Sequence, residues 1–134
     1  MRPLGRSGIS RAETAGTLDI VININKKRGV NLLEFSGRMT LSGGGVEALR
    51  KSFNELIAGG ERTFLFDLSE VRFMDSASIG ELVSSHKRVS AHGGTVKVVT
   101  RQDSKVRDLL AITHLDKVLE VFVGQEEALD SFEA

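Results

Sequence analysis

Four residues set between hydrophobic stretches could do chemistry: Asp67, Asp75, Ser76 and Ser78. An Asp followed at once by Ser, with helical apolar spacing beyond it, suits a helix N-terminus. There the first amides lack intrahelical acceptors and carry a partial positive charge. Asp75 is suited to be the N-cap, accepting from amides two or three residues on, which leaves the Ser76 hydroxyl in the first turn free to face outward. A phosphate on that hydroxyl would add about 1.5 to 2 negative charges beside Asp75 and beneath any partner packed over the turn. Such a group would end binding without unfolding the domain. The local pattern leaves a second reading open, in which Asp75 and Ser76 only cap a helix. A third takes Asp67 and Asp75 as a general acid and base or as a Mg²⁺ site. With no nearby His, Lys or phosphate-binding loop, the two acids fall short of an active-site constellation.

These side chains need elements to hold them. Phe64 to Leu68 is a short apolar run broken by one acid, the pattern of a buried central strand. Turn-like Ser69-Glu70 and a small cluster of Val71, Phe73 and Met74 then lead to Asp75-Ser76. Ile79, Leu82, Val83 and His86 share one face, predicting a helix from Ser76 to His92 with Glu81, Ser84, Ser85, Lys87 and Arg88 on its outer side. Upstream, Leu18, Ile20, Ile22 and Ile24 fall on alternate positions, Lys26-Lys27-Arg28-Gly29 makes a turn, and Val30 to Phe35 returns, predicting a hairpin. Val46, Leu49, Phe53, Leu56 and Ile57 mark a helix ended by Gly59-Gly60. Downstream, Val96 to Val99 and Val118 to Val123 read as strands. Asp103-Ser104 can cap a helix bearing Val106, Leu109 and Leu110, and Gln125 to Phe132 reads as a short terminal helix. The order β-β-α-β-α-β-α-β-α implies an α/β fold with one mixed sheet of four or five strands and about four helices.

In the stretch FDLSEVRFMDSASIGELV, Asp67-Leu68, Val71, Phe73, Asp75-Ser76 and Gly80 occur in an order that resembles the signature of STAS domains. The similarity continues through Gly93-Gly94, the strand Val96 to Val99, the helix Val106 to Ile112 and the closing HLDKVLEVFVGQEEAL, so it covers roughly Leu18 to Phe132. It implies a single STAS-like domain over residues 17–134, of the anti-sigma factor antagonist type. When unphosphorylated, such a protein would bind an anti-sigma factor that is also a serine kinase, releasing a sigma factor for transcription. Phosphorylation of Ser76 would break the complex, and a serine phosphatase would restore it. In this partner switching the chain is a substrate and not an enzyme. It needs no cofactor, because ATP and Mg²⁺ belong to the kinase. The implied partner-binding residues are Thr40, Met74, Asp75, Ser76, Ala77, Ser78, Ile79 and Gly80. An alternative within the family is a non-switching scaffold subunit of a stress-signalling assembly or of a membrane transporter.

Two details refine the resemblance. In many such regulators the segment after the second strand reads Gly-x-Leu-Asp, whereas here it reads Gly37-Arg38-Met39-Thr40. Thr40 thus stands where the acid would be. Of the two serines in the first turn, the one directly after the acid is the family's usual phosphoacceptor. Ser78, about 200° further round the helix, can bond back to the cap.

Composition limits the remaining possibilities. At 134 residues, with 40% hydrophobic and 27% charged, the chain fits one globular domain. Basic and acidic residues number 18 each, so no overall basic field exists to hold nucleic acid or an anionic membrane. The absence of cysteine excludes disulfides and thiol chemistry. The widely spaced His86, His92 and His114 show no metal-ligand pattern. No apolar run approaches the roughly 20 residues of a membrane span, and no secretory core is present, which predicts a cytoplasmic protein. Met1 to Gly16 has no hydrophobic period and predicts a disordered tail, without the amphipathic face of a transit peptide. Gly43, Gly44 and Gly45 fail the phosphate-loop pattern and predict a flexible lead-in to the first helix.

Overall fold

The computed structural model describes residues 19–133. In it the alternation of Ile20, Ile22 and Ile24 becomes β1 (Ile20–Lys27), paired antiparallel with β2 (Val30–Met39). The expected tail and Leu18 lie outside the described residues. The hairpin turn is tighter than the sequence predicts, since Lys26 and Lys27 belong to the strand. Arg28 and Gly29 alone turn the chain, at φ 54° and 79°, as a two-residue hairpin that follows the strand twist requires. From this tip the Arg28 guanidinium reaches Glu126, Asp130 and Glu133 at 2.8–3.1 Å.

Five strands lie in chain order across one sheet, with β3 (Thr63–Met74) at its centre between β2 and β4 (Thr95–Val99), and β5 (Glu120–Phe122) at the far edge. Every pairing after the first is parallel, which gives the expected mixed sheet. The crossovers are α1 (Gly45–Ala58), α2 (Ser76–Ala91) and α3 (Lys105–Ile112), and α4 (Gln125–Asp130) closes the fold. The last strand and helix are shorter than predicted. A 3₁₀ turn at Leu115–Lys117 draws the amides of Val118 and Leu119 back to the Leu115 carbonyl, so β5 starts only at Glu120. The Phe132 amide likewise closes a turn on Leu129 after α4 ends.

The larger core lies between the sheet and α1, α2 and α3. Phe35, Phe53, Phe64 and Phe66 are fully buried there, with the Phe53 ring 4.6 Å from Phe64 and 5.6 Å from Phe66. Each such side chain contributes about 1.5–3 kcal/mol by leaving water. A smaller cluster of Leu32, Leu65 and Val99 packs under Ala128 and Leu129 on the opposite face.

Two expectations need correction. Ser69-Glu70 is no turn, because β3 runs through it for 12 residues to Met74. β4 stops opposite Asp67, so the outer half of β3 keeps only β2 as a strand neighbour, and its freer side accepts polar residues. β2 also extends through Gly37-Arg38-Met39, with register shifts that re-aim the pair near its end. The second correction concerns α2. Glu81 and Ser85 are buried with Ser78, Leu82 and Val89, because this helix packs on α1 as well as on the sheet. Glu81 accepts from Arg50 of α1 at 3.1 and 3.3 Å and stands 3.8 Å from Arg88, and such pairing is what a carboxylate in that position needs. Among the described residues, no helix is long and apolar enough to cross a membrane.

Candidate functional site

Because β2 and β3 run parallel, Met39 and Met74 end side by side and the segments after them leave the sheet at one rim. Asp75 joins the two segments. As the N-cap of α2 it accepts from the Ser78 amide at 2.9 Å through Oδ1, while Oδ2 accepts from the Leu41 amide at 3.0 Å. Its own amide points at the Met39 carbonyl, 3.4 Å away. One carboxylate therefore fastens the start of the helix to the loop after β2. Burial opposes ionisation of Asp75, but the amides of Leu41 and Ser78 outweigh it and hold the carboxyl below its usual range.

The geometry separates the two serines. Ser78 is fully buried and its hydroxyl donates to the Asp75 carbonyl at 2.8 Å, the back-bond anticipated for it. Ser76 is exposed, and its hydroxyl has no partner among the described residues. Gly80, one turn on, is also exposed, and a side chain there would meet open space. Ala77 and Ile79 are half-buried, and Met74 is buried beneath them in the core.

Thr40 is buried and organises the glycine turn. Its Oγ1 accepts from the Gly43 amide at 2.9 Å, and its carbonyl accepts from Gly45 and Val46 at 3.0 and 3.3 Å. The expected flexible lead-in is instead closely packed. A Cβ on Gly43 would stand 2.7 Å from Thr40 Oγ1, and Gly44 has φ 89°, so the turn needs glycine at both positions. One apolar residue of this rim, Leu41, went unread in the sequence, and it is 59% exposed. Phe73, expected in the small apolar cluster before Asp75, is 42% exposed with the Arg38 guanidinium 4.5 Å above its ring. An apolar residue alone among Thr, Ser and Gly was the available signal for Leu41.

Asp67 lies elsewhere. Eight residues separate it from Asp75, which along an extended strand is roughly 25 Å. Its Oδ1 accepts from the Ser69 amide at 2.9 Å and hydroxyl at 2.6 Å, and its Oδ2 from Gln125 at 2.6 Å. The two acids therefore cannot share a substrate atom or an ion. Among the described residues no three His, Asp or Glu side chains are grouped as metal ligands would be.

A mixed five-stranded sheet in chain order, with an acid-capped helix leaving the central strand, defines the architecture in which this rim is held. The chain belongs to the STAS domain family, whose model matches residues 21–128. Two relatives, both from Thermotoga, carry the name of anti-sigma factor antagonist. One from Thermotoga neapolitana is 35% identical over 78 residues, which make up 58% of this chain and 68% of that protein. The crystal structure of an anti-sigma factor antagonist from Mycobacterium paratuberculosis shares the fold with a TM-score of 0.76 and 23% identity, over 86% of this chain and 95% of that one. The phosphorylated form of the Bacillus cell fate determinant SpoIIAA superposes with a TM-score of 0.65 and 19% identity, over 83% and 98% of the two chains.

Proposed function

We propose that this protein antagonises an anti-sigma factor by binding it through the rim around Asp75, and that phosphorylation of Ser76 ends the binding. The observation that carries this reading is the contrast at the start of α2, where Ser76 is exposed and without a partner among the described residues while Ser78 is buried and bonded. SpoIIAA, a neighbour by fold, exists in phosphorylated and unphosphorylated forms. The binding face comprises Asp75, Ser76, Ala77, Ile79 and Gly80, the buried Met74, Ser78 and Thr40 support it from behind, and the exposed Leu41 extends it.

A phosphate on Ser76 would sit beside the Asp75 carboxylate and beneath the docked partner. Repulsion and desolvation then oppose binding, while the helix dipole keeps the fold tolerant of the charge. The chain is the phosphate acceptor and performs no catalysis. The anti-sigma factor acts as the serine kinase and supplies ATP and Mg²⁺, a serine phosphatase resets the cycle, and the consequence is regulated sigma-factor-dependent transcription in the cytoplasm. Affinity capture with wild type and Ser76→Asp, followed by phosphopeptide mapping, tests the proposal. A kinase-like partner recovered by wild type alone, with label on Ser76, is the expected result. Label on Ser78 or Thr40 with Ser76 unmodified would overturn the assignment.

One observation favours a second reading. Thr40 stands where related regulators carry an acid, and its hydroxyl is committed to the Gly43 amide. A scaffold subunit that is never phosphorylated would need no acid there. Equal partner recovery by both proteins, with no label on any residue, would select it.

A further inference from the structure

We infer that the cleft beside the outer half of β3 binds a small multivalent anion. β4 ends opposite Asp67 and α3 begins only at Lys105, so a cavity of about 490 Å³ is left between the free side of β3 and the intervening loop. Arg72 lines it from β3, and Arg101 and Lys105 line it from the other wall, with Ser36 adding a hydroxyl, since those of Ser69 and Ser104 are donated to Asp67 and to the Arg101 carbonyl. Glu70 and Asp103 also line it.

What marks this cleft is that three cations line one concavity. Some surface cations meet acids, as Lys26 meets Glu61 at 2.8 Å and Arg28 meets three carboxylates, while Lys51, Lys87, Arg107 and Lys117 make no ion pair among the described residues. Among the described residues, Arg72, Arg101 and Lys105 make no ion pair and no side-chain hydrogen bond, although Glu70 and Asp103 line the same space. Cations grouped around a concavity repel one another, and an anion between them relieves that repulsion. The guanidinium groups of Arg72 and Arg101 can grip two oxygens of one phosphate or carboxylate, and Lys105 adds a point charge. The start of α3 forms part of the wall, so its dipole adds potential of the same sign. Glu70 and Asp103 lower the net charge to about one unit at full ionisation, so a monovalent ion gains little and a compact multivalent one gains more. A phosphate ester or pyrophosphate and a polycarboxylate share this chemistry.

Amide-resolved NMR titration of the full chain with inorganic pyrophosphate, with citrate, and with sodium chloride at matched ionic strength tests the inference. Saturable shifts confined to residues 69–72 and 101–107 are expected with at least one multivalent anion, and the anion that saturates identifies phosphate or carboxylate as the source. Arg101→Ala and Lys105→Ala should each weaken that binding roughly tenfold or more, the scale of one lost charge-assisted hydrogen bond. Glu70→Gln should tighten it, and Lys51→Ala on α1 should leave it unchanged. All four side chains are exposed, so the variants keep the fold, and unaltered shifts elsewhere verify this. Linear, dispersed shifts with both anions, indistinguishable from those of sodium chloride, would overturn the site. So would a loss in Lys51→Ala equal to that in Lys105→Ala. Neither result touches the Ser76 switch, which rests on the hydroxyl at the start of α2 and is read by phosphopeptide mapping.

Discussion

Two helices start from the same rim of the sheet, α2 after the central strand and α3 after its neighbour, and their caps differ in reach. Asp75 serves its own helix through Ser78 and another segment through Leu41. Ser104 serves only its own turn, accepting from Arg107 at 3.0 Å and donating to Arg101 at 3.1 Å. A carboxylate has two oxygens and can brace two pieces of chain, whereas a hydroxyl closes one. The start of α2 is thus pinned from two sides with one hydroxyl left in the open, the condition a modifiable contact surface needs. The start of α3 is closed locally and leaves a cleft beside it.

The contrast is sharpest in partner binding. Ser76→Asp should weaken the anti-sigma factor complex by roughly 2–5 kcal/mol, since an unpaired charge is desolvated in the interface, while Ser104→Ala at the cap of α3 should leave it unchanged. Calorimetric titration reads both, and equal losses would erase the distinction. Next in size is stability. Asp75→Ala should cost about 2 kcal/mol and speed amide exchange at Leu41 as well as Ser78, whereas Ser104→Ala should cost about 1 kcal/mol with faster exchange confined to α3. Unchanged exchange at Leu41 would mean that the second arm of Asp75 carries no weight.

Acid unfolding separates the caps by sign. The folded-state pKa of Asp75 is depressed, so its contribution is fully present above the unfolded value of about 4 and is lost as pH falls through the folded one. Asp75→Asn should flatten the acid limb of the stability curve, and Ser104→Ala should shift that curve without changing its slope. The smallest effect concerns residues 1–16, which we propose lie outside the domain formed by residues 17–134. Their removal should change stability by less than about 1 kcal/mol in denaturant titration. The Asp19 amide donates to the Gly43 carbonyl, so the chain enters beside the loop that Asp75 holds. A larger loss, with faster exchange at Leu41, would show that the tail braces the start of α2 alone.

Sequence reasoning located the central strand, the hairpin, the helices and the Asp75 cap because each rests on local pattern. It failed where a neighbour decides. Ser69 and Glu70 are polar and read as a turn, yet they continue β3 because β4 ends early and leaves that flank open. Glu81 and Ser85 read as solvated, yet α1 covers them and Arg50 pairs with Glu81, a partner 31 residues away in sequence. Leu41 joined the site only once its amide was seen to meet Asp75, since a backbone donor has no signature in residue type.

Strands laid down in the order of the chain also bear on how the molecule is made. Each new strand finds its neighbour already in place, one hairpin or one helical crossover behind it, so a chain emerging from the ribosome can extend the sheet without waiting for distant segments. The late event is the arrival of α4, when Arg28 at the tip of the first hairpin meets Glu126, Asp130 and Glu133, 98 to 105 residues further on. Synthesis that stops before that point would yield a sheet with its earliest turn still unfastened.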